Sequence, residues 1–169
     1  MKNVIKVNIG TGDIDKAIKE LQAYRERLMN KINDFVDALI QEGMTVARIR
    51  LGSTQGDSTN ASVDSVYIST SGDVTKAVIY LEGSDALFVE FGAGIAYNTG
   101  NQHPLADEFG YGPGTYPSEH PPNRAINPGY WYYGGGIRSI GTEATMPIYG
   151  AAEHIRNIIV QKANEILRS

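Results

Sequence analysis

Apolar positions along the chain change spacing several times, and each change marks an element. "VIKVNI" (Val4 to Ile9) alternates and reads as a short strand. Asp13 follows "GTG" and is a candidate helix N-cap. From there Ile14, Leu21, Leu28 and Phe35 recur every seven residues. Ile18, Ile32 and Leu39 form a second line, with Arg25 as its polar interruption. This pattern predicts an amphipathic helix over 13–42. Gly43 is expected to bend or end it, and "MTVARIRL" is open between helix and strand. "GSTQGDSTNAS" (Gly52 to Ser62) is small, polar and aperiodic, as an exposed loop would be. "VDSVYIST" and "KAVIYLEG", rich in β-branched and aromatic residues, predict a hairpin over about 63–82 around "SGDVT". "DALFVEF" follows as a strand or a short helix. Pro147 opens a last helix over 147–168, with Ala151, Ile155, Ile158, Ile159, Ala163 and Ile166 on its apolar stripe.

The order predicts a single α+β domain over 1–169. A small antiparallel sheet packs against a long N-terminal helix and a C-terminal helix. Between them lies an extended loop, 92–141, with eleven of the nineteen glycines, six of the seven prolines, six of the ten tyrosines and the only tryptophan. Disordered segments are poor in aromatics, whereas interfaces use Tyr and Trp as stiff anchors. Tyr111, Tyr116, Tyr130, Trp131, Tyr132 and Tyr133 are therefore expected to meet another chain, the alternative being that they cover the domain's own sheet.

Composition narrows the classes. The 169 residues carry a net charge of −4, and the basic positions are dispersed, unlike the clustered cationic face of a nucleic-acid binder. The chain has no cysteine, so disulfides and thiolate metal sites are excluded, which fits a reducing compartment. The N-terminus lacks the long apolar stretch of a secretory leader, and no run is long enough to span a bilayer.

The residue that asks for a chemical explanation is Glu90, set among Leu87, Phe88, Val89 and Phe91 and followed by Gly92 and Gly94. One reading is a catalytic acid, either in a small metal- or carboxylate-dependent hydrolase with His103 or His120, or as one of a glycosidase pair with Asp107 or Glu108. The histidines lack metal-site spacing such as HExxH. A GxSxG elbow is absent, and "GAGIAYNTG" opens no helix that would receive a phosphate. The sequence thus predicts no catalytic residue, metal or cofactor. The favoured reading makes Glu90, Phe91, Gly92 and Gly94 a structural latch. A half-buried carboxylate needs donors, and those expected are the amides of Gly92, Ala93 and Gly94, or Arg124 or Arg138.

"FVEFGAGI", a histidine–proline stretch, "GYWYYGGG" and "GTEATMPIYGAAEHI" together resemble the head–tail joining proteins of long-tailed bacteriophages, also termed neck, tail-completion or tail-component proteins. Glu90, Phe91, Gly92 and Gly94 match that family's signature, with Ala93 where threonine is frequent. Trp131 and Tyr132 match its aromatic pair. Met146 and Pro147 match the start of its last helix in reversed order. The resemblance implies a non-catalytic virion protein, assembled in the host bacterial cytoplasm. It would form a homo-oligomeric ring, a hexamer or a dodecamer, in the neck. Its partners would be a head-closure or connector protein and a tail terminator or tail-tube protein, with genomic DNA passing through the lumen without specific binding. A carbohydrate- or ligand-binding module using the tyrosine-rich loop is the other non-enzymatic alternative.

Overall fold

A computed structural model of the chain describes residues 10–54, 60–69, 75–93, 103–109, 131–133, 137–139 and 141–168. The elements run α1 (Thr11–Gly52), β1 (Ser62–Ser69), β2 (Thr75–Glu82), α2 (Ala86–Phe91), α3 (Ala106–Phe109), β3 (Trp131–Tyr133), β4 (Ile137–Ser139) and α4 (Pro147–Leu167). The fold is α+β: a long N-terminal helix and a C-terminal helix pack with a two-stranded antiparallel sheet. The expected strand Val4 to Ile9 and the turn "SGDVT" lie wholly or largely outside the described residues.

α1 differs from expectation at both ends. Gly10 is its N-cap, and Gly10 O accepts the amides of Asp13 and Ile14. Asp13 lies in the first turn, where its charge complements the helix dipole. The helix passes through Gly43 and takes in "MTVARIRL". Its C-cap is Ser53, whose hydroxyl donates to Arg50 O at 2.7 Å. Gly43 is helical because packing, not propensity, decides there. A Cβ at this position would lie 2.5 Å from Ile79 Cδ1 and 2.8 Å from Ile155 Cδ1. The missing side chain is what lets β2 and α4 close on one turn of α1.

β1 and β2 pair from Ser62↔Glu82 to Ser69↔Thr75. Strand alternation sends Val63, Leu81, Ile79 and Ala77 inward. They join Ile40, Met44, Ala47 and Ala151 in the main core, with Val36 and Leu51 packed beside them. Val66 and Val78, directly opposed, stay exposed on the outer face. The chain leaves β2 at Gly83, whose φ of 117° and contact with Asn60 O exclude a side chain. Asp85 Oδ2 accepts the Asn60 amide at 2.7 Å, pinning the exit of the hairpin to its entrance. "DALFVEF" resolves as the helix α2. Within 92–141 the sequence predicted no element. The described parts of that span include α3, the β3–β4 pairing (Trp131↔Ser139 to Tyr133↔Ile137) and a bridge between Ala93 and Thr142. Runs of three or four residues are too short to show a period.

α4 runs antiparallel along α1. Arg50 lies against Gly150 in α4's first turns, and Glu42 reaches Lys162 near its last. Arg50 Nη1 also donates to Thr145 O at 3.2 Å, and the Thr54 and Thr145 hydroxyls are 2.8 Å apart. Replacing Gly43 with valine is expected to lower stability by about 2 kcal/mol through overpacking. Gly12→Ala, in open space on the same helix, should leave stability unchanged or raise it. Urea unfolding of both variants measures this. The hydrogen bond and then the charge of Lys162 hold the Glu42 carboxyl below the usual carboxylate range. A depressed carboxyl contributes stability above its unfolded pKa and loses it as pH falls through its lowered folded pKa. Glu42→Gln is expected to flatten the acid limb of the melting-temperature profile slightly, the effect shrinking further in high salt.

Candidate functional site

The start of α4 has an unusual set of donors to satisfy. A helix leaves its first amides without intrahelical acceptors. Here the N-cap is Met146, in the left-handed region at φ 53°, with no side-chain oxygen to offer. Pro147 at the first position has no amide hydrogen. The amides of Ile148 and Tyr149 need an acceptor from elsewhere, and Glu90 supplies it. Oε2 accepts Ile148 N–H at 2.9 Å, and Oε1 accepts Tyr149 N–H at 2.8 Å. The neighbouring residues of α2 complete the set: Val89 O accepts the amides of Thr145 and Met146 at 3.1 and 3.4 Å. The first bond closing within α4 is Gly150 N–H to Met146 O at 2.9 Å. Every amide from Thr145 to Gly150 is thereby accounted for.

His103 closes the third side of the carboxylate. Its Nε2 lies 3.2 Å from Glu90 Oε1, and its Nδ1 accepts the Leu105 amide at 3.0 Å. An Nδ1 that accepts carries no proton, so the ring is the neutral tautomer with its proton on Nε2, donated to Glu90. The imidazole is 3 % exposed and Glu90 8 %. Phe91 packs on the ring at a centroid distance of 4.5 Å, and Tyr149 meets it edge-on at 5.0 Å. Phe109 of α3 extends the stack, 5.4 Å from Phe91.

The Glu90–His103 pair lies along a cleft of about 510 Å³ between β2, α2, the segment just before α3 and the first turns of α4. Its lining is mainly apolar, from Ile79, Leu87, Leu105, Ile148 and Ala152. Glu153 and Arg156, which bond each other, also border it. β2 pairs with β1 alone among the described strands, so its other edge borders this cleft.

Several sequence expectations are corrected here. The amides of Gly92 and Ala93 do not go to Glu90, whose described backbone donors are Ile148 and Tyr149. Gly92 N–H, at φ 81°, closes α2 onto Phe88 O at 2.7 Å, and Ala93 N–H goes to Thr142 O. Arg124 and Gly94 lie outside the described residues, as does the side chain of Arg138. Tyr111, Tyr116, Tyr130 and His120 are also outside them. Trp131, Tyr132 and Tyr133 form β3, of which only the backbone is described. His103 comes to Glu90, whereas Glu108 is exposed on α3. Among the described residues, no three His, Asp or Glu side chains are grouped to hold a metal ion, and no helix is long and apolar enough to cross a membrane. The partners that sequence reasoning missed are the amides of Ile148 and Tyr149. A signal for them exists: "TMPIYG" starts a helix with proline and without a capping side chain, so its donors need a remote acceptor.

No protein-family model, curated protein or solved structure matches the chain significantly.

Glu90→Ala strands two helix amides and His103 Nε2–H in a buried place. Stability is expected to fall by about 3 kcal/mol. Glu90→Gln, which keeps one acceptor oxygen, should fall less. Hydrogen exchange of the Ile148 and Tyr149 amides is the local readout: both should accelerate in Glu90→Ala beyond what the global loss explains.

Proposed function

We propose that this chain is a non-catalytic structural subunit of a tailed-phage neck, forming a ring that joins the capsid connector to the tail. The observation that carries this reading is how completely the Glu90–His103 pair is occupied. Both carboxylate oxygens accept helix amides, and the imidazole uses one nitrogen on Leu105 and the other on Glu90. The acid of the "FVEFGAG" motif therefore has a structural use, the use a virion subunit has for it. A general acid or base needs a proton or lone pair directed at a substrate; here the imidazole and both carboxylate oxygens are each engaged by the protein.

In this reading the ring is a hexamer or dodecamer built by head-to-tail contacts that close by rotation. It meets a head-closure or connector protein on one side and a tail terminator or tube protein on the other. Tyr111, Tyr116, Tyr130, Trp131, Tyr132 and Tyr133 supply the anchoring aromatics. A net charge of −4 suits a lumen through which DNA slides without sticking. Assembly takes place in the host cytoplasm.

One observation favours a second reading. An acid and a histidine 3.2 Å apart beside a cleft of about 510 Å³ resemble a hydrolase dyad. It ranks second because using the pair would uncap α4.

The discriminating variant is Trp131→Ala. It is expected to leave the unfolding midpoint of the isolated subunit unchanged while head–tail joining in a complementation assay drops at least tenfold. Normal joining by this variant overturns the anchor role. Electron microscopy of the protein mixed with connector and tail proteins should give rings, and a bound metal with hydrolytic turnover lost in His103→Ala would favour the second reading.

A further inference from the structure

The heptad stripe of α1 is used at one end of the helix and left open at the other. Ile14, Leu21, Leu28 and Phe35 share one heptad position, and Ile18, Arg25, Ile32 and Leu39 share the other. Seven residues beyond Phe35 is Glu42, which holds Lys162 of α4 at 3.0 Å. Four beyond Leu39 is Gly43, where Ile155 of α4 packs. The stripe thus runs into the face of α1 on which α4 lies. α4 ends at Leu167, but the seam continues along α1 toward Thr11. On that overhang Ile14, Ile18, Leu21 and Leu28 keep between 41 and 53 % of their surface exposed.

We propose that a second copy of this chain covers the overhang, the outer half of its α1 packing antiparallel on this one about a twofold axis. A seven-residue apolar repeat on an α-helix calls for another helix, because 3.5 residues per turn keeps a seam facing its partner only through supercoiling. The open stretch is continuous with the α1–α4 interface, so an incoming helix would lie in line with α4 and extend a packing already made. Among the described helices only α1 and α4 exceed six residues. α4 spends its main stripe on α1, leaving the outer half of α1 as the complementary seam. Lys16, Lys19, Glu20, Glu26 and Arg27 all fall off the seam.

Arg25 sets the direction. A parallel, in-register pair would place it against Arg25 of the partner subunit, two like charges in one layer. In the antiparallel pair it meets leucine, along which its aliphatic stem packs. This contact is twofold and concerns the free chain. It is distinct from the head-to-tail contacts of a ring and does not depend on the neck reading.

Sedimentation equilibrium of the full chain tests the proposal. The wild type should have twice the chain mass at micromolar concentration. Leu21→Glu combined with Leu28→Glu should weaken the pair at least 100-fold. Both side chains are exposed, so the unfolding midpoint measured at monomeric concentration should not move. Orientation is read by spin-labelling Gly12→Cys, a unique site in a cysteine-free chain. An antiparallel overlap of the outer halves places the two labels about 30 Å apart at 1.5 Å per residue. A parallel pair places them about 10 Å apart. A monomeric wild type, an oligomer indifferent to the double variant, or the short label distance overturns the proposal.

Discussion

The structure depends on one carboxylate placed at the positive end of a helix that cannot cap itself. α4 begins with a left-handed methionine and a proline, a start with little local support. A residue at φ 53° without being glycine costs on the order of 1 kcal/mol, and two amides would otherwise face an apolar interior. Glu90 offsets both through charge-assisted hydrogen bonds at a helix terminus, where the dipole adds to them. Because Glu90 belongs to α2, and α2 follows the hairpin through the fixed turn at Gly83 and Asp85, those bonds tie α4 to the sheet as well as to α2. The 510 Å³ cleft, the His103 stack and the bridge at Ala93 and Thr142 all surround this joint.

The elements with a sustained period were legible in the sequence. α1, the β1–β2 hairpin and α4 each carry several turns or alternations of apolar spacing, and all three are present. What failed was punctuation. Gly43 reads locally as a helix end, since an interior glycine costs about 1 kcal/mol. Burying Ile79 and Ile155 against it outweighs that, and no pattern confined to α1 contains those residues. Asp13 looked like a cap because the chemistry is right, yet the cap lies three residues earlier, at Gly10. The latch shows the same limit. The surroundings of Glu90 in sequence announce a buried acid needing donors, but they point to the nearest amides. The actual donors lie 58 and 59 residues away, and only the uncapped start of α4, read for its own deficit, indicates them.

That distance bears on what the acid is for. Catalytic carboxylates are held by their surroundings yet keep a lone pair or a proton for the substrate. Glu90 has its strongest contacts with backbone, and His103 is turned by the Leu105 amide into the tautomer that donates to it. The pair has the distance of a dyad, but its described bonds run to the helix it holds and to the Leu105 amide, and Phe91 and Tyr149 pack on the imidazole. The motif "FVEFGAG" then has a compact explanation: the glutamate reaches α4, Phe91 covers His103, and Gly92 ends α2 in a conformation that favours glycine.

Polar groups and apolar groups are treated differently by this chain. Inside, the helix amides and the buried acid find partners across long sequence separations, which specifies one arrangement. Outside, large apolar side chains remain exposed among the described residues, including on the outer half of α1, the outer hairpin face with Val66 and Val78, the side of α4 with Ile159 and Val160, and Leu87, Leu105 and Phe109 around α2 and α3. Isolated exposed leucines and valines are normal on any protein. An ordered stripe at heptad spacing is different, because it continues an interface the molecule already makes. α4 is 21 residues long and α1 is 42, so one helix can cover only about half of the other. If α1 served this fold alone, its outer half would gain no packing to offset the entropy of ordering it. The proposed pairing of outer halves supplies that packing.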